Sequence, residues 1–188
     1  MSVHTHLYAA KLKTRVLAFE PSPGNYYLLM RNIEVNEAQD LISSYCIAFC
    51  DETRLAEFHM SNTQLGAAYS SFGEALDPLG SEFIASYRQA MVGYTIDEFV
   101  ARFAPPFPNH LKIDVDGIEE EVIDGARETL SDERVRSVLV ELDESRKGYS
   151  KTVEILQAAG LHIRAKAHPP EFDNSAFANQ YNFIFSRE

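Results

Sequence analysis

The sequence has little positive charge, little cysteine and no long apolar run. Its 188 residues hold 17 Lys and Arg against 28 Asp and Glu, a formal net charge of −11. Such a chain repels phosphate backbones, and no basic run or interleaved aromatic stripe overcomes that. Nucleic acid is therefore not an expected partner. No apolar stretch approaches the roughly 20 residues of a spanning helix. Met1–Lys13 also lacks the charged-then-apolar order of a signal peptide, so the expectation is a cytoplasmic protein without a membrane partner. Cys46 and Cys50 are the only cysteines. On one continuous strand they would lie about 13 Å apart, too far for a disulfide. Two core thiols in a reducing compartment are expected. His4-Thr5-His6 has a metal-pair spacing, but such a pair near a terminus is usually solvated, and no metal site is expected.

What is present is an ordinary globular composition, 45% hydrophobic and 24% charged, in a length that suits a single domain over residues 1–188. Arg15–Glu20 reads as a strand stopped by Pro21-Ser22-Pro23-Gly24. Ser22 can cap a helix with Pro23 at its first position. That helix carries Tyr26, Leu29, Met30 and Ile33 at helical spacing and ends near Asn36. Ile42–Cys50 is the next strand. Residues 55–93 read as an irregular insertion or short hairpin, with short strands over Ala56–Met60 and Gln89–Tyr94. Thr95-Ile96-Asp97-Glu98 is a capping box, in which the Thr95 hydroxyl and the Glu98 carboxylate exchange bonds with orphan amides. The helix it opens stops before Pro105-Pro106. A later helix places Ile118, Val122, Ala126 and Leu130 on one face. Val138–Leu142 is a strand, Val153, Leu156 and Ala159 mark a helix closed by Gly160, and Leu161–Ala167 and Tyr181–Ser186 are strands joined by a polar loop. Strands and helices alternate, as in a doubly wound α/β sheet.

Between the two central helices lies the most informative stretch, Leu111-Lys112-Ile113-Asp114-Val115-Asp116-Gly117-Ile118-Glu119. Strand alternation puts Lys112, Asp114 and Asp116 on one face, with Ile113 and Val115 on the other. A buried parallel strand would be apolar on both faces. Here charge accumulates toward the carboxyl end, where open α/β sheets bind ligands. Glu20, Asp51 and Glu141 also stand at strand ends, which suggests a cleft for a ligand rich in hydroxyl and amine donors.

That stretch, with Val16–Pro21, Asn32, Asn36 and Thr95-Ile96-Asp97, resembles the FkbM-type S-adenosylmethionine-dependent methyltransferases from about Leu7 to Glu141. Asp116 stands where the family usually carries Glu. The resemblance implies a Rossmann-like class I methyltransferase sheet with helices on both faces and an antiparallel last strand. It also implies methyl transfer from S-adenosylmethionine, to oxygen of a small molecule or a sugar. Glu20, stiffened by Pro21, matches the acid that accepts the ribose hydroxyls. Asp51 matches the acid near the adenine amino group, with Ala48 or Phe49 lining the ring. Asp114 lies nearest the sulfonium and methyl, and Lys112, Asp116, Glu119 and Glu141 surround the acceptor. Asp114 or Asp116 is the expected base, and Lys112 reads as an ion-pair partner of Asp114 or Glu141.

Family members begin with a strand and an acidic, glycine-rich loop. Here all 9 glycines lie at Gly24 or later, and Leu7-Tyr8-Ala9-Ala10 matches the helix after that loop. An N-terminally truncated or degenerate chain is expected, with open strand edges that invite homo-oligomers. The alternative is a methyltransferase-like module that does not bind cofactor by itself. A nicotinamide dehydrogenase ranks third, because it needs a Gly-x-Gly-x-x-Gly before the acid-ended strand.

Overall fold

The computed structural model describes residues 14–187. The His4–His6 pair and the expected helix at Leu7–Ala10 lie outside the described residues. Contacts divide the chain into two compact units, residues 14–48 with 54–93, and residues 49–53 with 94–187.

In the first unit β1 (Val16–Phe19) runs parallel to β2 (Ile42–Tyr45), in register from Val16–Ile42 to Phe19–Tyr45. Parallel neighbours need a crossover, and α1 (Pro23–Val35) supplies it. Pro23 opens the helix, where its missing N–H costs nothing. Ser22 is the N-cap residue, but its side chain makes no cap bond. Asn36 ends the helix, its backbone N–H and its side-chain amide both donating to the Asn32 carbonyl. Leu29 and Ile33 bury against Ala18, Ala38 and Ile42, which seals the helix onto the strand pair.

The single strand expected over Ile42–Cys50 is two. After Tyr45 the chain leaves the parallel pair, and β3 (Ala48–Phe49) resumes beyond Cys46-Ile47. Cys50 is buried, Cys46 only partly so, and both thiols are free. Residues 55–93 are more regular than expected. There β4 (Arg54–Met60) lies between β5 (Ser70–Phe72) and β6 (Tyr87–Tyr94), antiparallel to both. Leu55 and Val92 face each other across that sheet and are both exposed, so hydrophobic alternation along these strands does not report burial.

The second unit holds α2 (Ile96–Phe103), β7 (His110–Ile113), α3 (Glu119–Asp124), α4 (Arg127–Ser131), β8 (Ser137–Asp143), α5 (Tyr149–Ala158), β9 (His162–Ala167) and β10 (Gln180–Ser186). Its sheet runs β7-β8-β10-β9. β7 and β8 are parallel, and β10 is antiparallel to both β8 and β9, as expected of the last strand. Val138, Val140 and Leu142 of β8 and Phe183 and Phe185 of β10 form one core with Ile96, Val122, Leu130 and Leu156. Residues of α2, α3, α4 and α5 all enter that core. The opposite face of this sheet, with Leu139, Glu141, Asn182 and Ile184, stays partly open.

The expected helix through Ile118, Val122, Ala126 and Leu130 is broken between α3 and α4. A Cβ at Gly125 would run into the carbonyl oxygen of Cys50, so the backbones meet where only glycine fits. Asp97 then takes over the second piece. Its Oδ2 accepts from the Glu128 N–H at 2.9 Å and its Oδ1 from the Thr129 N–H at 2.7 Å. The capping box is likewise half formed. Thr95 Oγ1 accepts from the Glu98 N–H at 3.0 Å, but the Glu98 carboxylate pairs with Arg102 and the Thr95 N–H donates to Thr53 Oγ1. Asp97→Ala should lower the unfolding free energy by about 1–3 kcal/mol, the scale of charge-assisted bonds to amides that would otherwise lack a partner. Urea denaturation with an unchanged m-value would show it, and a midpoint equal to wild type would mean those bonds contribute nothing.

Candidate active site

β7 stops at Ile113, so Asp114 is the first residue past the strand and Asp116 sits in the following turn. Asp116 therefore does not share a strand face with Lys112 and Asp114, as the alternation suggested. The chain turns there because Gly117 adopts φ +103°, a conformation other residues resist. Lys112 Nζ lies 2.5 Å from Asp114 Oδ2, with both side chains more than half exposed. Such a pair stabilises the fold by at most about 1 kcal/mol, but it gives Asp114 a permanent cation.

Glu119 opens α3 and is only 5% exposed. Burial pushes its carboxyl up to about 8. Backbone bonds at Glu119 and Gly117 and the Arg146 charge oppose the rise, while Glu141 adds to it. The Gly117 N–H reaches Glu119 Oε1 at 3.4 Å, and Arg146 Nη1 holds the Gly117 carbonyl at 2.6 Å. Burial thus favours the protonated form of Glu119.

Glu141 lies within β8, on the face away from the core. The antiparallel register sets Asn182 of β10 directly opposite. Gln180 Nε2 donates to Glu141 Oε2 at 2.6 Å, and Asn182 Nδ2 reaches Oε1 at 3.5 Å. Partial burial raises the Glu141 pKa, the charges of Asp114 and Asp116 raise it further, and Gln180 and Lys112 work against them. Asp114, expected nearest the methyl, and the four residues expected around an acceptor, Lys112, Asp116, Glu119 and Glu141, therefore form one electrostatic group. Arg146, Gln180 and Asn182 join it, though no motif pointed to them. For Gln180 and Asn182 the signal was present: two amides alternate with Tyr181 and Phe183 in an otherwise apolar strand.

The residues expected at a nucleoside are placed less uniformly. Glu20 follows β1, with its backbone N–H on the Tyr45 carbonyl at 3.1 Å and its Oε1 accepting from the Ser22 N–H at 2.9 Å. Pro21 offers its carbonyl to the Cys46 thiol at 3.7 Å, and burial with the Glu20 charge raises that thiol's pKa. Ala48 is 3% exposed and has almost no surface to offer a ring. Phe49, in the second unit, packs edge-on against Phe99 at 5.6 Å and joins the core there. Asp51 is exposed in the bend after β3. Among the described residues no group of three or more His, Cys, Asp or Glu could hold a metal, and no helix is long and apolar enough to cross a membrane.

The model of the methyltransferase FkbM domain matches residues 4–165. The chain belongs to the FkbM methyltransferase domain family. A similar solved structure is the methyltransferase FkbM from Methylobacillus flagellatus KT, with a TM-score of 0.56 and 14% identity. The match covers 95% of this chain and 39% of that one, so this chain spans well under half the length of its structural relative. At that identity the likeness concerns the fold. No curated protein matches the chain.

In this FkbM-family chain the signature acids occupy three different environments. Asp114 is exposed and paired with an ammonium. Glu119 is buried, which raises its pKa to about 8. Glu141, further along the chain, is partly buried and held by uncharged amides. Equivalent carboxyls placed so differently cannot share one task.

Proposed function

We propose that the chain carries S-adenosylmethionine-dependent methyl transfer to a hydroxyl of a small molecule or sugar, in the cytoplasm. The observation that carries this reading is the graded set of acids after β7 and on β8 in a chain of this family. When bound, S-adenosylmethionine supplies an electrophilic methyl carbon. The donor set fits its nucleoside: Glu20 is a carboxylate at the end of a parallel strand, oriented through Oε1 by a backbone amide. Glu20 and Pro21 would hold the ribose hydroxyls. Of the two adenine-lining candidates, Phe49 keeps more accessible surface than Ala48.

The acceptor hydroxyl must lose its proton, and we assign that proton to Glu141 rather than to Asp114 or Asp116. A base works best with a pKa near the working pH; partial burial and the Asp114 charge raise that of Glu141, whereas the Asp114 carboxylate is bonded directly to Lys112 Nζ. β1 and β7 each stand at an end of their sheet among the described residues. That supports the expectation of homo-oligomers through strand edges.

Titration calorimetry of S-adenosylhomocysteine tests the reading. Glu20→Gln should weaken binding by about 1–3 kcal/mol, the scale of a charge-assisted bond. Equal affinities would remove Glu20 from the ribose. Absence of binding by the wild-type chain would favour a module that does not hold cofactor by itself.

A further inference from the structure

The Glu141 carboxylate is held by two side-chain amides at the start of β10, and this points to a residue no motif contains. We propose that Gln180 is a positioning residue that acts through Glu141, its side-chain amide fixing the carboxylate on the open sheet face beside Lys112 and Asp114. The proposal rests on the assignment of Glu141 as the base.

Three observations carry it. First, the two amides divide the carboxylate between them, Gln180 on Oε2 at 2.6 Å and Asn182 on Oε1 at 3.5 Å. The shorter bond comes from Gln180, which pairs in register with Asp143 and reaches diagonally across the strands. Second, both donors are uncharged. A directly bonded ammonium or guanidinium would hold Glu141 equally well but would add a full positive charge against its protonation. Third, Gln180 is itself fixed. Its N–H donates to the Phe177 carbonyl at 2.9 Å, and its carbonyl faces His168 Nδ1 at 3.1 Å. His168 Nε2 lies 2.9 Å from Asp173 Oδ1, and its ring stacks on Tyr181 at 4.0 Å. The loop between β9 and β10 thus anchors the backbone of the residue that orients the base. Loss of the Gln180 bond removes one of the influences that hold the Glu141 pKa down.

The experiment is a carbon-13 NMR titration of the Glu141 carboxyl in the full chain without cofactor, assigned with Glu141→Gln. In Gln180→Leu the midpoint should move up by about 0.4–1 pH unit, one hydrogen bond's worth. The acid limb of the kcat–pH profile should move by the same amount, with KM changed less. An unmoved midpoint overturns the proposal, and so does a lower kcat with an unmoved acid limb. Should Gln180→Leu fail to fold, wild type suffices: the Gln180 side-chain amide resonances must titrate with the Glu141 midpoint, and constant shifts overturn the proposal. A moved midpoint in a chain without methyl transfer would leave the Gln180 contact standing and remove the functional reading instead.

Discussion

Glu119→Gln should make the chain more stable than wild type at pH 8 and leave the two equal near pH 4.5. A carboxyl whose folded pKa lies above its unfolded value binds more protons folded than unfolded between those two values, so stability falls as pH rises through that window. For Glu119 the window runs from the ordinary 4.5 to about 8. Each pH unit within it costs about 1.4 kcal/mol, which sums to a difference on the order of 3–5 kcal/mol at pH 8. Gln fills the same space and keeps an oxygen for the Gly117 N–H, so the variant removes only the charge. Urea denaturation of both proteins at half-unit steps from pH 4.5 to 8.5 gives the result directly, because other titrating groups cancel in the difference. Parallel curves across that range would mean that Glu119 ionises normally.

Glu141→Gln should lower turnover by about 10²–10⁴, the usual contribution of a positioned base. Asp114→Asn should cost less, because its carboxylate is already committed to Lys112. Single-turnover rates with the natural acceptor would separate the two. A larger loss for Asp114→Asn would return the base to the end of β7. Asp97 is not a neutral control in this comparison, since its carboxylate secures the amides of Glu128 and Thr129.

Much of the architecture follows from local pattern. Leu29 and Ile33 recur at helical spacing and are buried, Pro23 opens its helix, and Asn36 closes it. The alternation Val138, Val140, Leu142 names the core face of β8. Residues 55–93 were harder, because β4 and β6 expose Leu55 and Val92, so apolar residues there do not mark a buried face. The break at Gly125 was invisible, since the apolar spacing continues smoothly from Val122 to Leu130. Only the approach of the Cys50 carbonyl and the grip of Asp97 interrupt that helix.

By itself the sequence determined many of the strands and helices and the family membership carried by Lys112–Glu119; the antiparallel last strand was implied by the resemblance. These rest on periodicity and on residue types at fixed spacing, which act over a few residues. Tertiary structure decided which acid does what. Glu119 looks like a solvated residue at a helix start, yet it is 5% exposed. Glu141 looks like one more acid at a strand end, yet the β8–β10 register gives it two amide partners from about 40 residues away. A carboxyl's protonation depends on desolvation and on the charges that surround it in space, and neither is ordered along the chain.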